Sequence, residues 1–114
     1  MSDERRQHER LELLAQVELR RVGQVETLSA INISAGGVLL RNDRNIEFTT
    51  GEEIRVHFDV PELIPAFSID AIVIRVVAAS SRPAALAAMW TSSDPTATAA
   101  LGQLLWNLKG SVNG

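Results

Sequence analysis

The sequence predicts a small all-β domain, a six-stranded antiparallel barrel followed by one C-terminal helix. Three observations lead there. Apolar and polar residues alternate with a period of two in run after run. The runs are short and separated by Gly, Pro, Asn and Ser turn signals. Only the last apolar stretch has helical spacing, behind an Asp-Pro pair suited to starting a helix. At 114 residues the chain fits one domain, able to bury about two-thirds of its unfolded surface.

Residues 1–10 are almost wholly charged or polar and without period, which predicts a flexible arm ahead of a domain spanning residues 11–114. From Leu11 the pattern changes: Leu11, Leu13, Ala15, Val17 and Leu19 occupy one parity of a strand with one buried face. A turn at residues 21–24 leads to a second strand, Val25 to Ile33, which Gly36 and Gly37 break. Val38 to Arg41 is a short third strand. After the turn at Thr50-Gly51-Glu52, Ile54, Val56, Phe58 and Val60 alternate with Glu53, Arg55, His57 and Asp59. Pro61 and Pro65 make residues 61–66 a loop.

In the strand from Phe67 to Val77 the apolar parity swaps midway, which predicts a bend or bulge. Residues 84–91 are Ala-rich, a composition that favours helix. They are assigned to a strand because the segment is short, lies between turn signals and supplies the sheet's last partner. The helix is expected over about 94–109, with Asp94 as cap, Pro95 in the first turn, and Ala97, Leu101, Leu104, Leu105 and Leu108 as its apolar stripe before Gly110.

Composition narrows the function. The net charge of -3 gives no basic field to hold nucleic acid or anionic lipid, so an anion site must be local. With no Cys, disulfides and thiolate metal sites are excluded. The N-terminus has no apolar run of a signal peptide and no stretch is long enough to cross a membrane, which predicts a soluble cytoplasmic protein without membrane insertion. His8 and His57 are the only histidines, and His57 has no second ligand at metal-binding spacing, so no metal is expected. Ser34 has no evident base and no Gly-x-Ser-x-Gly elbow surrounds it. No catalytic residue is assigned and an enzyme is not expected.

Binding chemistry is better represented. Arg6 and Arg10 lie four apart, with Arg5 just ahead. A guanidinium can fork onto a phosphate, lie on a purine, or bond the O6 and N7 edge of guanine. A charged N-terminal stretch with Asp3, Glu4 and Glu9 is equally compatible with a solubilising tail. In Asn32-Ile33-Ser34-Ala35-Gly36-Gly37, the flanking apolar residues Ile31 and Ile33 set Asn32 and Ser34 on the outward face. There an amide and a hydroxyl can meet a base edge or ribose, and Gly36 and Gly37 allow a sharp turn. The plainer reading is a Gly-rich hairpin whose Asn and Ser cap their own backbone.

These stretches resemble a known family. Arg6-Gln7-His8-Glu9-Arg10 is similar to the Arg-x-x-x-Arg motif of PilZ domains, bacterial receptors for cyclic di-GMP. Asn32 to Gly37, followed by Val38-Leu39-Leu40, is similar to their Asp/Asn-x-Ser-x-x-Gly motif, with 21 residues between the two motifs. The resemblance implies a barrel whose N-terminal arm folds over cyclic di-GMP on the outer wall, with Arg6 and Arg10 on phosphate and guanine, Asn32 and Ser34 at the guanine edge, and Gly36 and Gly37 in the turn beside it. Arg5 resembles the extra arginine of members that hold an intercalated ligand pair.

On this expectation the protein orders its arm on binding and signals in trans to an unidentified protein partner in motility, secretion or polysaccharide control. The alternative is a PilZ-like interaction module that needs no nucleotide. A small nucleic-acid-binding barrel is disfavoured by the acidic balance and the lack of surface aromatics for stacking. Leu14 and Ile72, apolar and outward-facing, are candidate contacts of a homodimer.

Overall fold

The computed structural model describes residues 9–77 and 84–113, with side chains through residue 110. The elements are β1 (Leu11–Glu12), β2 (Gln16–Arg21), β3 (Gln24–Ile33), β4 (Gly37–Arg41), β5 (Glu53–Phe58), β6 (Phe67–Val77), β7 (Ala85–Trp90) and α1 (Pro95–Asn113). Every pairing is antiparallel, in the order β1-β3-β2-β5-β6-β7-β4, and β3 also pairs with β4. That last pairing closes the sheet into a barrel and leaves no long open edge.

β1 and β2 are two halves of the single strand expected from Leu11. Leu11 pairs with Ile33 and Gln16 with Ser29, so the register slips by one residue between them. The backbone bridges the slip through Leu13 N to Ile31 O at 3.3 Å and Ala30 N to Ala15 O at 2.8 Å. Counted as one, they make the barrel six-stranded, as expected.

The turn signals correspond to real turns. Val22 and Gly23 form a two-residue hairpin with Gly23 at φ 74°, and Gly51 lies at φ 94° between Glu52 and the preceding loop. Both are conformations that glycine adopts without strain. The parity swap in β6 is a bulge: Val73 faces Ala88 and Arg75 faces Ala87, leaving Ile74 unpaired and half-exposed. The Ala-rich segment is a strand because β4 and β6 both pair with it, and that pairing outweighs its helix propensity.

Leu13, Val17, Leu19, Leu28, Ile33, Leu40, Val56, Phe58 and Leu86 fill the interior. Phe58 is fully buried and stacks on Phe67 with centroids 5.0 Å apart. Helix α1 starts as expected: Asp94 Oδ1 accepts from Thr96 N at 3.1 Å, and Ala97, Leu101, Leu104 and Leu108 are buried. It packs against β6 and β1, and Asn107 Nδ2 donates to Leu63 O at 2.6 Å. The expected stop near residue 109 is corrected: the helix runs through Gly110 to Asn113. Gly110 lacks the left-handed φ of a terminating glycine, so the helix passes through it.

Arg21 anchors one end of the barrel. Its Nε donates to Glu52 Oε2 at 2.7 Å, and its guanidinium lies 4.4 Å from the centre of the Phe48 ring. Burial pushes the Glu52 carboxyl up, but the hydrogen bond from Arg21, the Thr49 amide and the attraction of Arg21 together bring it below its ordinary 4.5. A depressed carboxyl contributes stability that is complete above the unfolded value and lost as pH falls through the folded one. Glu52→Gln is therefore expected to lower the urea midpoint at neutral pH and to flatten its decline below pH 4.5. An acid limb as steep as wild type would contradict this.

Candidate functional site

The Asn32–Gly37 stretch lies where β3 hands over to β4. Ser34 N donates to Gly37 O at 2.9 Å, closing a tight turn. Ser34 Oγ accepts from Gly36 N at 3.1 Å and Gly37 N at 3.3 Å, which satisfies amides the turn would otherwise leave open. Trp90 fastens the turn to β7: its indole Nε1 donates to Ser34 O at 2.9 Å, and its amide to Gly36 O at 3.1 Å. The Trp90 ring meets Phe58 edge-on at 6.1 Å. Sequence pattern alone does not mark this residue as part of the site. The signal was an aromatic ending a strand, whose half-buried N–H must find an acceptor.

Gly37 serves a purpose other than the one expected. Neither Gly36 nor Gly37 has a positive φ, so freedom to turn is not what they supply. At Gly37 the requirement is space, because a Cβ there would collide with the backbone carbonyl of Ala88 on β7.

Asn32 is half-buried on the outer wall, paired with Glu12 on one side and Leu39 on the other. Its amide makes no hydrogen bond among the described residues. The expected bracketing by two inward apolar residues is half right. The β3–β4 register shifts between Ala30 and Asn32, so Ala30 and Ile33 face inward and Ile31 sits in the bulge between. The bulge turns Asn32 outward.

Arg10 is exposed and directly precedes Leu11, whose partner Ile33 directly precedes Ser34. The β1–β3 pairing thus brings the root of the N-terminal segment level with the turn. Glu9, next to it, pairs with Lys109 of α1 at 3.2 Å. Arg5 and Arg6 lie outside the described residues. The turn, Asn32 and Arg10 together present an amide, backbone polar groups and a guanidinium on one stretch of wall, a combination suited to a phosphorylated planar heterocycle.

His57 is on the outer wall, with Nδ1 at 2.8 Å from Ser68 Oγ. Among the described residues no cluster of His, Cys, Asp or Glu has the proximity a metal needs, and no helix is long and apolar enough to cross a membrane.

Comparison with known proteins bears on this arrangement. The model of the PilZ domain matches residues 4–105. No curated protein sequence matches. Among solved structures, the Bacillus subtilis inhibitor of motility, MotI/DgrA, superposes with a TM-score of 0.74 at 21% identity, over 96% of this chain and 52% of that one. The PilZ domain of YcgR from Escherichia coli, solved with c-di-GMP, gives 0.72 at 15% identity, over 96% of this chain and 95% of that one. The PilZ domain of CeSA from a cellulose-synthesizing bacterium gives 0.70 at 14% identity, over 89% and 98%. At these identities the likeness is one of fold, and the chain spans about half the length of MotI/DgrA.

Proposed function

The chain belongs to the PilZ domain family, and on that premise we propose that it is a cytoplasmic receptor for cyclic di-GMP that acts in trans on a protein partner. The observation that carries the reading is the register Leu11 to Ile33, which brings Arg10 of the Arg-x-x-x-Arg motif beside the Asn-x-Ser-x-x-Gly turn. The ligand-bearing PilZ domain of YcgR supports it, since this chain matches that domain over nearly its full length.

In this reading Arg6 and Arg10 grip phosphate and guanine with charge-assisted forks, and Arg5 meets a second guanine. Asn32 offers its amide to the guanine edge. Ser34 acts chiefly through the turn: two amides already occupy its hydroxyl as acceptor, so its work is to hold the backbone that the ligand approaches. Residues 1–10 settle over the ligand, at an entropy cost met by those bonds, and present a new surface to the partner.

Titration calorimetry with cyclic di-GMP tests this. Micromolar or tighter binding is expected, weakened roughly ten- to a hundredfold by Arg6→Ala or by Arg10→Ala, since a charged hydrogen bond contributes about 1.5–3 kcal/mol. Asn32→Ala should weaken binding without lowering the melting temperature. Heat-free titration of wild type at high ligand concentration overturns the receptor reading and leaves the nucleotide-independent adaptor. That second reading is favoured by Ile74 and Met89, two apolar residues on the β6–β7 wall exposed to about half their surface.

A further inference from the structure

Trp106 is 74% exposed, the largest side chain that the described residues leave in solvent. It sits on α1 away from the buried stripe of Leu101, Leu104 and Leu108, so packing of the barrel does not explain it. It lines a groove of about 330 Å³ together with Glu9, Leu11, Ala35, Leu105 and Lys109. Ala35 belongs to the turn that bears Ser34, and Glu9 adjoins Arg10, so the groove borders residues next in the chain to those of the proposed ligand site.

Resting on the receptor reading, we infer that this groove is a stacking subsite for a guanine base of the ligand, with Trp106 as its platform. Side chains on a helix lean toward the preceding turn, so the Trp106 indole is directed over position 102. That position is Gly102, which lines the same groove and brings no side chain to fill it; a Cβ there would enter open space. A planar base can lie on an indole whatever its sequence context.

The rim adds selectivity. Glu9 and Lys109 pair at 3.2 Å, with side chains 62% and 56% exposed, so either can turn to a ligand at little cost. Guanine presents adjacent N–H donors on one edge and the O6 and N7 acceptors on another. A carboxylate matches the first and an ammonium the second. Arg10, one residue from Glu9, is placed to reach the attached phosphate.

The experiment is calorimetric and fluorescence titration of the full chain with cyclic di-GMP, for wild type, Trp106→Ala and Trp106→Phe. Wild type should show ligand-dependent quenching. Trp106→Ala should bind about 5- to 100-fold more weakly with an unchanged melting temperature. Trp106→Phe should recover most of the affinity and lose most of the quenching, leaving Trp90 as the only indole. Full affinity in Trp106→Ala overturns the subsite and leaves the receptor reading standing, also if that variant changes sedimentation, which would assign Trp106 to a contact between copies. Absence of wild-type binding defeats both.

Discussion

Gly37→Ala is expected to destabilise the protein by about 3 kcal/mol and to abolish the proposed binding of cyclic di-GMP. Overpacking costs typically 1–3 kcal/mol. The upper end applies because the new Cβ would meet the main-chain carbonyl of Ala88, which cannot swing aside as a side chain does. Relief requires β4 and β7 to separate where Gly37 faces Met89 and Val38 faces Ala88. That seam also holds the turn, through the Trp90 indole on Ser34 O and the Trp90 amide on Gly36 O. The melting temperature should fall by roughly 10–20 °C. Gly102→Ala is the matched control: its Cβ enters open space on a helix, and a gain of about 0.5–1 kcal/mol is expected. If Gly37→Ala melts within a few degrees of wild type, the close approach of β7 is not what excludes a side chain there.

Asn42→Ala should cost a comparable amount, roughly 3 kcal/mol in urea unfolding, without touching the proposed ligand site. Asn42 is the one buried polar side chain among the described residues, 1% exposed. Its Nδ2 donates to Ile46 O at 2.8 Å and its Oδ1 accepts from Ile46 N at 2.9 Å, while its own amide donates to Ala84 O at 3.0 Å. The side chain thus does for the loop after β4 what a partner strand would do, and its amide ties β4 to the start of β7. Truncation leaves two half-buried backbone groups of Ile46 unpaired at about 1–3 kcal/mol each, with water recovering part. Asn42→Asp keeps the acceptor and loses the donor while burying a charge, so it should be no milder. Cyclic di-GMP affinity measured on folded Asn42→Ala should match wild type. A loss there would mean that the loop reaches the site. Stability unchanged in Asn42→Ala would refute the bracing role.

Both positions are polar or small residues that sequence pattern treats as punctuation. Asn42 reads as one more residue of a polar loop, and Gly37 as a turn glycine. Side-chain periodicity carries no information about which carbonyl lies opposite a Cα or which amide a loop folds back to meet. The same limit explains Trp90 and Trp106: their roles depend on the distance from β7 to the turn and on the side of α1 left uncovered, both set by long-range pairing.

The sequence by itself determined the class of fold, the strand order along the chain, the bulge in β6, the helix cap and the two motifs, because period-two burial, glycine and proline constraints and capping act over a few residues. Only the tertiary structure decided that β1 lies against the end of β3, which brings Arg10 level with Ser34 across 23 residues of chain. It also decided that Ser34 is spent on its own turn and that Gly37 is needed for space. The physical reason is that barrel closure fixes which distant backbones touch, and those contacts assign each polar group either to the fold or to a ligand.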